Sequence, residues 1–253
     1  MGRFRRRVRT LRQVLLFLVA VMILLPSRAA GRVVNYEDDE DLAAAIEHDL
    51  GLNGHNYEKA DRSAAERHYL AYLERCEESF QRARVFYQLG TLYGINANRR
   101  KDEEPDPEKA KACFTRCLEE EPERIGYETI EARKQLAYYV EPVEKRIEAR
   151  LAVYEWLLSA DEEKVRRLYL PSRPDEGAPA DAAVKRTLRT IYSAKSITIS
   201  NVKREVIHHE NSRELARGIA ERFPEAELGK WARAYLELDL PKKGGEAEGG
   251  QAE

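Results

Sequence analysis

The densest set of groups able to hold a metal or move a proton is His208-His209-Glu210, with Glu205 one turn before His208. Imidazole and carboxylate are both zinc ligands, but adjacent residues on a helix point about 100° apart, so the two histidines cannot close on one ion unaided. His48, His55 and His68 lie far away in the chain, and no His-Glu-x-x-His or paired Glu-x-x-His spacing occurs. The cluster therefore reads as a solvated helix face, with no metal or other cofactor expected. Of the three thiols, Cys113 and Cys117 are one helical turn apart, and in an oxidising compartment either could meet Cys76. Buried free thiols are the preferred reading, and a nucleophilic cysteine would need a neighbouring base that no spacing supplies. There is no glycine-rich phosphate loop, Gly-x-Ser-x-Gly elbow or kinase signature, and no spacing singles out a Ser, His and Asp triad. A non-catalytic protein is expected, with an all-helical enzyme, or the accessory domain of one, as the remote alternative.

Composition narrows the partners. The net charge of -2 conceals an asymmetry, because eight arginines and no acids lie in residues 1–32. Without them, 35 basic residues face 45 acidic ones, so residues 33–253 carry about -10. Phosphate-backbone binding depends on clustered Lys and Arg, so no nucleic-acid partner is expected. Long runs of Glu, Lys, Arg, Ala and Leu with few glycines favour amphipathic helices, and 253 residues are ample to bury a core. The expected fold class is all-α.

The N-terminus has the order of an export signal. Arg3, Arg5, Arg6, Arg7, Arg9 and Arg12 precede an apolar run from Val14 to Leu25, then Pro26 and the small-residue stretch Ser27-Arg28-Ala29-Ala30. Twelve helical residues span about 18 Å against a hydrocarbon core of about 30 Å. Residues 1–30 are read as a cleaved signal peptide, with an uncleaved membrane anchor as the alternative. The expected location is extracytoplasmic: periplasmic or secreted after cleavage, or anchored in the inner membrane, with this segment as the sole membrane contact.

The elements that would position any site follow from periodicity. Leu42 to Leu50 suits a helix ending near Gly51 and Asn53-Gly54. Ser63 with Glu66 suggests a capping box opening a helix whose face carries Ala65, Tyr69, Tyr72, Leu73 and Cys76. The chain then reads Phe86-x2-Leu89-Gly90-x2-Tyr93, Ala110-x3-Phe114 and Pro122. This pattern resembles the tetratricopeptide repeat, a helix–turn–helix unit. With Asp106-x2-Lys109-Ala110 it also resembles the related Sel-like repeats. Small Gly90 and Ala110 would lie where two antiparallel helices cross, Phe86, Leu89, Tyr93 and Phe114 would fill the space around the crossing, and Pro122 would stop the second helix. The interval from Tyr93 to Ala110 is about eight residues longer than the repeat allows, which makes 95–105 an extended polar loop.

A weaker unit follows at Leu136-Ala137 and Ala149, with Val153, Trp156 and Leu157 behind, and residues 63–78 look like the second helix of an earlier unit. The resemblance thus covers about half of the chain. The expected organisation is a repeat domain at 36–170, a Pro- and Gly-rich linker at 171–182, a helical segment at 183–240 and a disordered tail at 241–253. In the C-terminal part, Asp181 caps a helix through Tyr192, and 201–222 and 226–238 form further helices around Phe223-Pro224. This closing sequence, with Trp231-Ala232 and Tyr235-Leu236, resembles the last helices of exported bacterial repeat proteins. Ser196 to Ser200 alternates like a strand, although a loop entering a helix is preferred.

In stacked repeats of this type the first helix of each unit lines a concave surface that takes extended peptides. The resemblance then implies a groove lined by Arg84, Tyr87, Gln88 and Thr91, and in the weaker unit by Lys134, Gln135 and Tyr138. A protein or peptide partner is the expectation, with a structural envelope component as the rival. The Lys and Asn set with which some such repeats clamp a terminal carboxylate is not reproduced in this register.

Overall fold

The computed structural model describes residues 39–49, 59–95, 103–169 and 180–238. Every regular element among them is an α-helix: α1 (Glu40–His48), α2 (Arg62–Arg75), α3 (Ser79–Tyr93), α4 (Pro107–Glu120), α5 (Tyr127–Tyr138), α6 (Val143–Leu158), α7 (Glu162–Tyr169), α8 (Ala180–His208), α9 (Ser212–Arg222) and α10 (Glu227–Glu237). The all-α expectation is met, and consecutive helices pack on one another as helical-repeat units do. The N-terminal segment 1–30, the turn at Gly51 and Asn53-Gly54, most of the 95–105 loop and of the 171–182 linker, and the 241–253 tail lie outside the described residues. No helix of the described residues is long and apolar enough to cross a membrane.

The first two pairs, α1–α2 and α3–α4, are built alike. A side-chain cap opens each second helix: the Asp61 carboxylate accepts from the Ala64 N–H and the Asp106 carboxylate from the Lys109 N–H, both at 3.0 Å. The N–H of each capping Asp also donates at 3.0 Å to the last carbonyl of the helix before it, Asp61 to His48 and Asp106 to Tyr93. A shift of 45 residues (48 to 93, 61 to 106) superimposes these contacts and sets Ala45 on Gly90, Ala65 on Ala110 and Tyr69 on Phe114, all six of them buried. The long inter-helix connection is therefore a property of both units, pinned at its base by one backbone bond. The cap at Asp61 also corrects the expected start of α2: Ser63 already lies inside the first turn, and Glu66 turns outward to pair with Lys109 at 3.2 Å.

Close approach explains the small residues. A Cβ placed on Gly90 would lie 2.5 Å from the Phe114 ring, and that ring is fully buried. Leu89, Tyr93 and Ala110 are buried around it. Phe86 is half-buried, with the Arg82 and Arg116 guanidinium groups each 5.6 Å from its ring centre. Pro122 follows α4 by two residues and is exposed, as a helix stop outside the core would be. The third pair, α5–α6, keeps the packing with a short connection: Ala137, Val153 and Leu157 are buried, and Ala149 and Trp156 are packed against them.

The C-terminal helices depart from expectation. Ser196 to Ser200 is neither strand nor loop, and Asp181 does not open a short helix ending at Tyr192, because α8 runs unbroken over 29 residues. Its buried Ile191, Ala194, Thr198, Ile199, Val202 and Val206 recur at helical spacing, and the Ser200 hydroxyl donates to the Ser196 carbonyl at 3.0 Å. The expected 201–222 helix is likewise divided, with the break at His209 to Asn211. The turn at Phe223-Pro224 is where it was expected. There α10 folds back so tightly that a Cβ on Gly229 would meet the Phe223 carbonyl oxygen at 1.8 Å.

Two glycines separate packing from propensity. Gly90→Ala is expected to cost about 1–2 kcal/mol, because crowding of the buried Phe114 ring outweighs the gain in helix propensity. Gly218→Ala, with nothing within 4 Å of the new methyl, is expected to gain about 0.5–1 kcal/mol. Urea midpoints of the two variants test the pair, and equal shifts of the same sign would refute the crowding argument.

Candidate functional site

The two halves of the expected groove fare differently. Tyr87 is buried, 6.1 Å from the Phe114 ring and edge-on to Tyr127 at 5.8 Å, because α5 covers this side of α3. It is a packing residue, and burial raises its phenol far above the ordinary value. Arg84 is tucked between Gln81, 3.1 Å away, and Glu128, 3.6 Å away. The Thr91 hydroxyl bonds the Gln88 carbonyl at 2.8 Å. Lys134, Gln135 and Tyr138, by contrast, all line one surface cleft of about 280 Å³.

Three helices make that cleft. The residues from α5 form one wall, Arg150 and Val153 of α6 the floor, and Ile197, Thr198, Asn201 and Arg204 of α8 the far wall. A larger recess of about 780 Å³, reaching from Pro107 and Lys111 of α4 to Arg146 and Glu205, shares Tyr138, Arg150 and Arg204 with it. The larger volume falls within the range of about 300–1,000 Å³ usual for small-ligand pockets, and the smaller lies just below it. Together their linings offer guanidinium, ammonium, carboxylate, amide and hydroxyl groups to a ligand.

Charge at the floor is organised by Glu205. Its Oε1 accepts from Arg146 Nε at 2.9 Å and lies 3.3 Å from Arg150 Nη2, while Arg146 also reaches the exposed Glu141 at 2.8 Å. Burial lowers the Arg150 guanidinium from its ordinary value against the pull of Glu205, and the like charges of Arg146 and Arg204 push the same way. Arg146 feels burial too, but its bonds to Glu205 and Glu141 prevail and raise it. Arg150 Nε and Glu205 Oε2 are buried with no hydrogen-bond partner. Lys134 is held by Glu131 at 2.7 Å, and Arg204 donates to the Asn201 amide oxygen at 3.1 Å.

The histidine and cysteine clusters sit elsewhere. His209 Nδ1 accepts the Asn211 N–H at 3.1 Å, which leaves the proton on Nε2, directed at Glu144 2.9 Å away. Both ring nitrogens are engaged in tying the α8–α9 turn to α6, and no group of three or more His, Cys, Asp or Glu suited to a metal occurs among the described residues. All three cysteines are free thiols. Burial raises the Cys113 thiol to about 11 and the Cys117 thiol to about 12. Arg150, Arg204 and Glu205 were not singled out as cleft residues by sequence, and the only available signal was an Arg at i and i+4 in a helix with apolar neighbours.

Comparison with protein-family models, with curated proteins and with solved structures finds no match to this chain.

Two outcomes are expected from these contacts. Glu205→Gln leaves two largely buried guanidinium groups without their shared counter-charge and is expected to cost about 3 kcal/mol. Glu141→Gln at the exposed end of the network changes little. Equal denaturation midpoints for the two variants would contradict this ranking. Because the thiolate is the reactive form, Cys113 and Cys117 should resist a thiol reagent at pH 8 in the native protein and react on unfolding. Rapid native modification of either, located by peptide mass, would contradict the burial argument.

Proposed function

We propose that this chain is an exported, non-catalytic helical-repeat protein of the tetratricopeptide or Sel-like kind that binds a protein or peptide partner in the cleft between α5, α6 and α8. The observation that carries the reading is that Lys134, Gln135 and Tyr138, the groove residues inferred from the repeat register, line one cleft together with side chains from two other helices. The 45-residue correspondence of the first two helix pairs supports the repeat assignment. The basic and apolar N-terminal segment supports export. Tyr138 and Ile197, exposed on the two facing walls, with the amides of Gln135 and Asn201 beside them, offer apolar contact and paired donors and acceptors to an extended backbone.

Site-directed photocrosslinking in the native host tests this reading. A photoreactive phenylalanine analogue at Tyr138 is expected to trap a discrete protein adduct, and the same residue at Leu70, exposed on α2 away from the cleft, is not. Adducts of equal yield at both positions, or none at Tyr138, would count against a partner in the cleft. Intact mass in the same preparation reports the N-terminus: loss of about thirty residues accords with an exported free adaptor, and an uncut chain in the membrane fraction favours the tethered structural component.

A further inference from the structure

Arg150 is 7% exposed, although an arginine side chain stays protonated under all ordinary conditions. Glu205, its ion-pair partner among the described residues, is already hydrogen-bonded to Arg146, which also reaches the exposed Glu141, so the one buried carboxylate is shared by two inward guanidinium groups. Arg204 stands exposed at the mouth of the same cleft, bonded to the neutral amide of Asn201 and in no ion pair among the described residues. Together the two adjoining clefts present five cationic side chains and four carboxylates, which leaves one positive charge uncompensated. This occurs in a body of about -10, where a cationic recess is a local exception. Beside the two arginines, Val153 and Ile197 supply an apolar wall.

Resting on the peptide-binding reading above, we propose that Arg150 and Arg204 form a carboxylate-binding subsite, and that the partner inserts an Asp or Glu side chain there with an apolar residue beside it against Val153 and Ile197. One uncompensated charge matches one carboxylate, whereas a phosphorylated side chain brings a charge of about -1.5 to -2. The guanidinium fork favours a planar two-oxygen acceptor, and the low dielectric of a partly buried site strengthens the bond. Specificity then comes from charge at the floor, and affinity from the aromatic and apolar walls.

The test measures binding of the purified chain to fluorescein-labelled, end-capped octapeptides in which Leu alternates with Glu, Gln, Lys or phosphoserine, by fluorescence polarisation. The Glu peptide is expected to bind about tenfold or more tighter than the Gln peptide, the scale of a hydrogen bond to a charged group, and the Lys peptide most weakly. In Arg204→Gln, an exposed position that leaves folding undisturbed, the Glu-to-Gln affinity ratio should fall to about one. Arg150→Lys, which keeps the charge and loses the fork, should reduce the ratio partway. Equal binding of the Glu and Gln peptides, or an unchanged ratio in Arg204→Gln, overturns the carboxylate subsite and leaves the peptide reading standing. Tightest binding of the phosphoserine peptide reassigns the subsite to phosphate and overturns the proposal. Failure of all four peptides removes the peptide reading and the subsite together.

Discussion

The C-terminal half of this protein depends on α6, one 16-residue helix that shares its cores with five others. Ile147, Leu151 and Tyr154 lie one or two turns apart and bury themselves against α8, α9 and α10. Val153 and Leu157, on an adjoining stripe, complete the core shared with α5, α7 and α8. Arg146 and Arg150 continue the stripe of Val153 and Leu157 toward the start of the helix and meet Glu205 of α8. At about 100° per residue these two stripes adjoin, so the apolar contacts and the arginines share about one half of the helix surface. Burying guanidinium groups is costly, and their attraction to a single carboxylate offsets the cost only in good geometry. The ion pair is thus weak ground for stability, but it fixes how α8 lies across α6, and that placement creates the cleft.

The N-terminal half solves a simpler problem twice. In α3–α4 the small Gly90 faces the Phe114 ring, α1–α2 buries Ala45 and Tyr69 at the matching positions, and in both an aspartate caps the second helix and closes the connection back to the first. That bond makes the length of the intervening segment largely irrelevant to packing, consistent with the slow growth of loop-closure entropy with length. The third pair, with its short connection, carries its polar face on α5 into the cleft. The third pair therefore supplies one wall and the floor of the site, and α8 supplies the far wall.

What was legible in the sequence was what local spacing decides. Leu89-Gly90-x2-Tyr93 and Ala110-x3-Phe114 mark a crossing because only a residue without a side chain fits under the Phe114 ring. Phe223-Pro224 marks a turn because proline cannot continue the helix. The 45-residue correspondence was also present, in Ala45 against Gly90 and Tyr69 against Phe114, but few positions carry it, and the shared backbone bonds appear only in three dimensions. Ile197-Thr198-Ile199 misled because β-branched residues favour strands, while here two of the three are buried in a long helix whose tertiary packing overrides that preference. Tyr87 misled because its register faces outward in an isolated unit, and α5 then covers it. Arg150 reads as a solvated charge, since the residues that bury it and pair with it come from α8, beyond the linker.

The proposed function places a ligand in the three-helix cleft and not on the face of α3. Hydrogen exchange of the chain with and without the Glu/Leu octapeptide, followed by mass spectrometry, puts that claim to a direct test. Slowed exchange confined to the segments around 131–138, 146–153 and 197–205 is the predicted result. Protection centred instead on 84–91 of α3, or no protection at peptide concentrations that saturate binding, would contradict it.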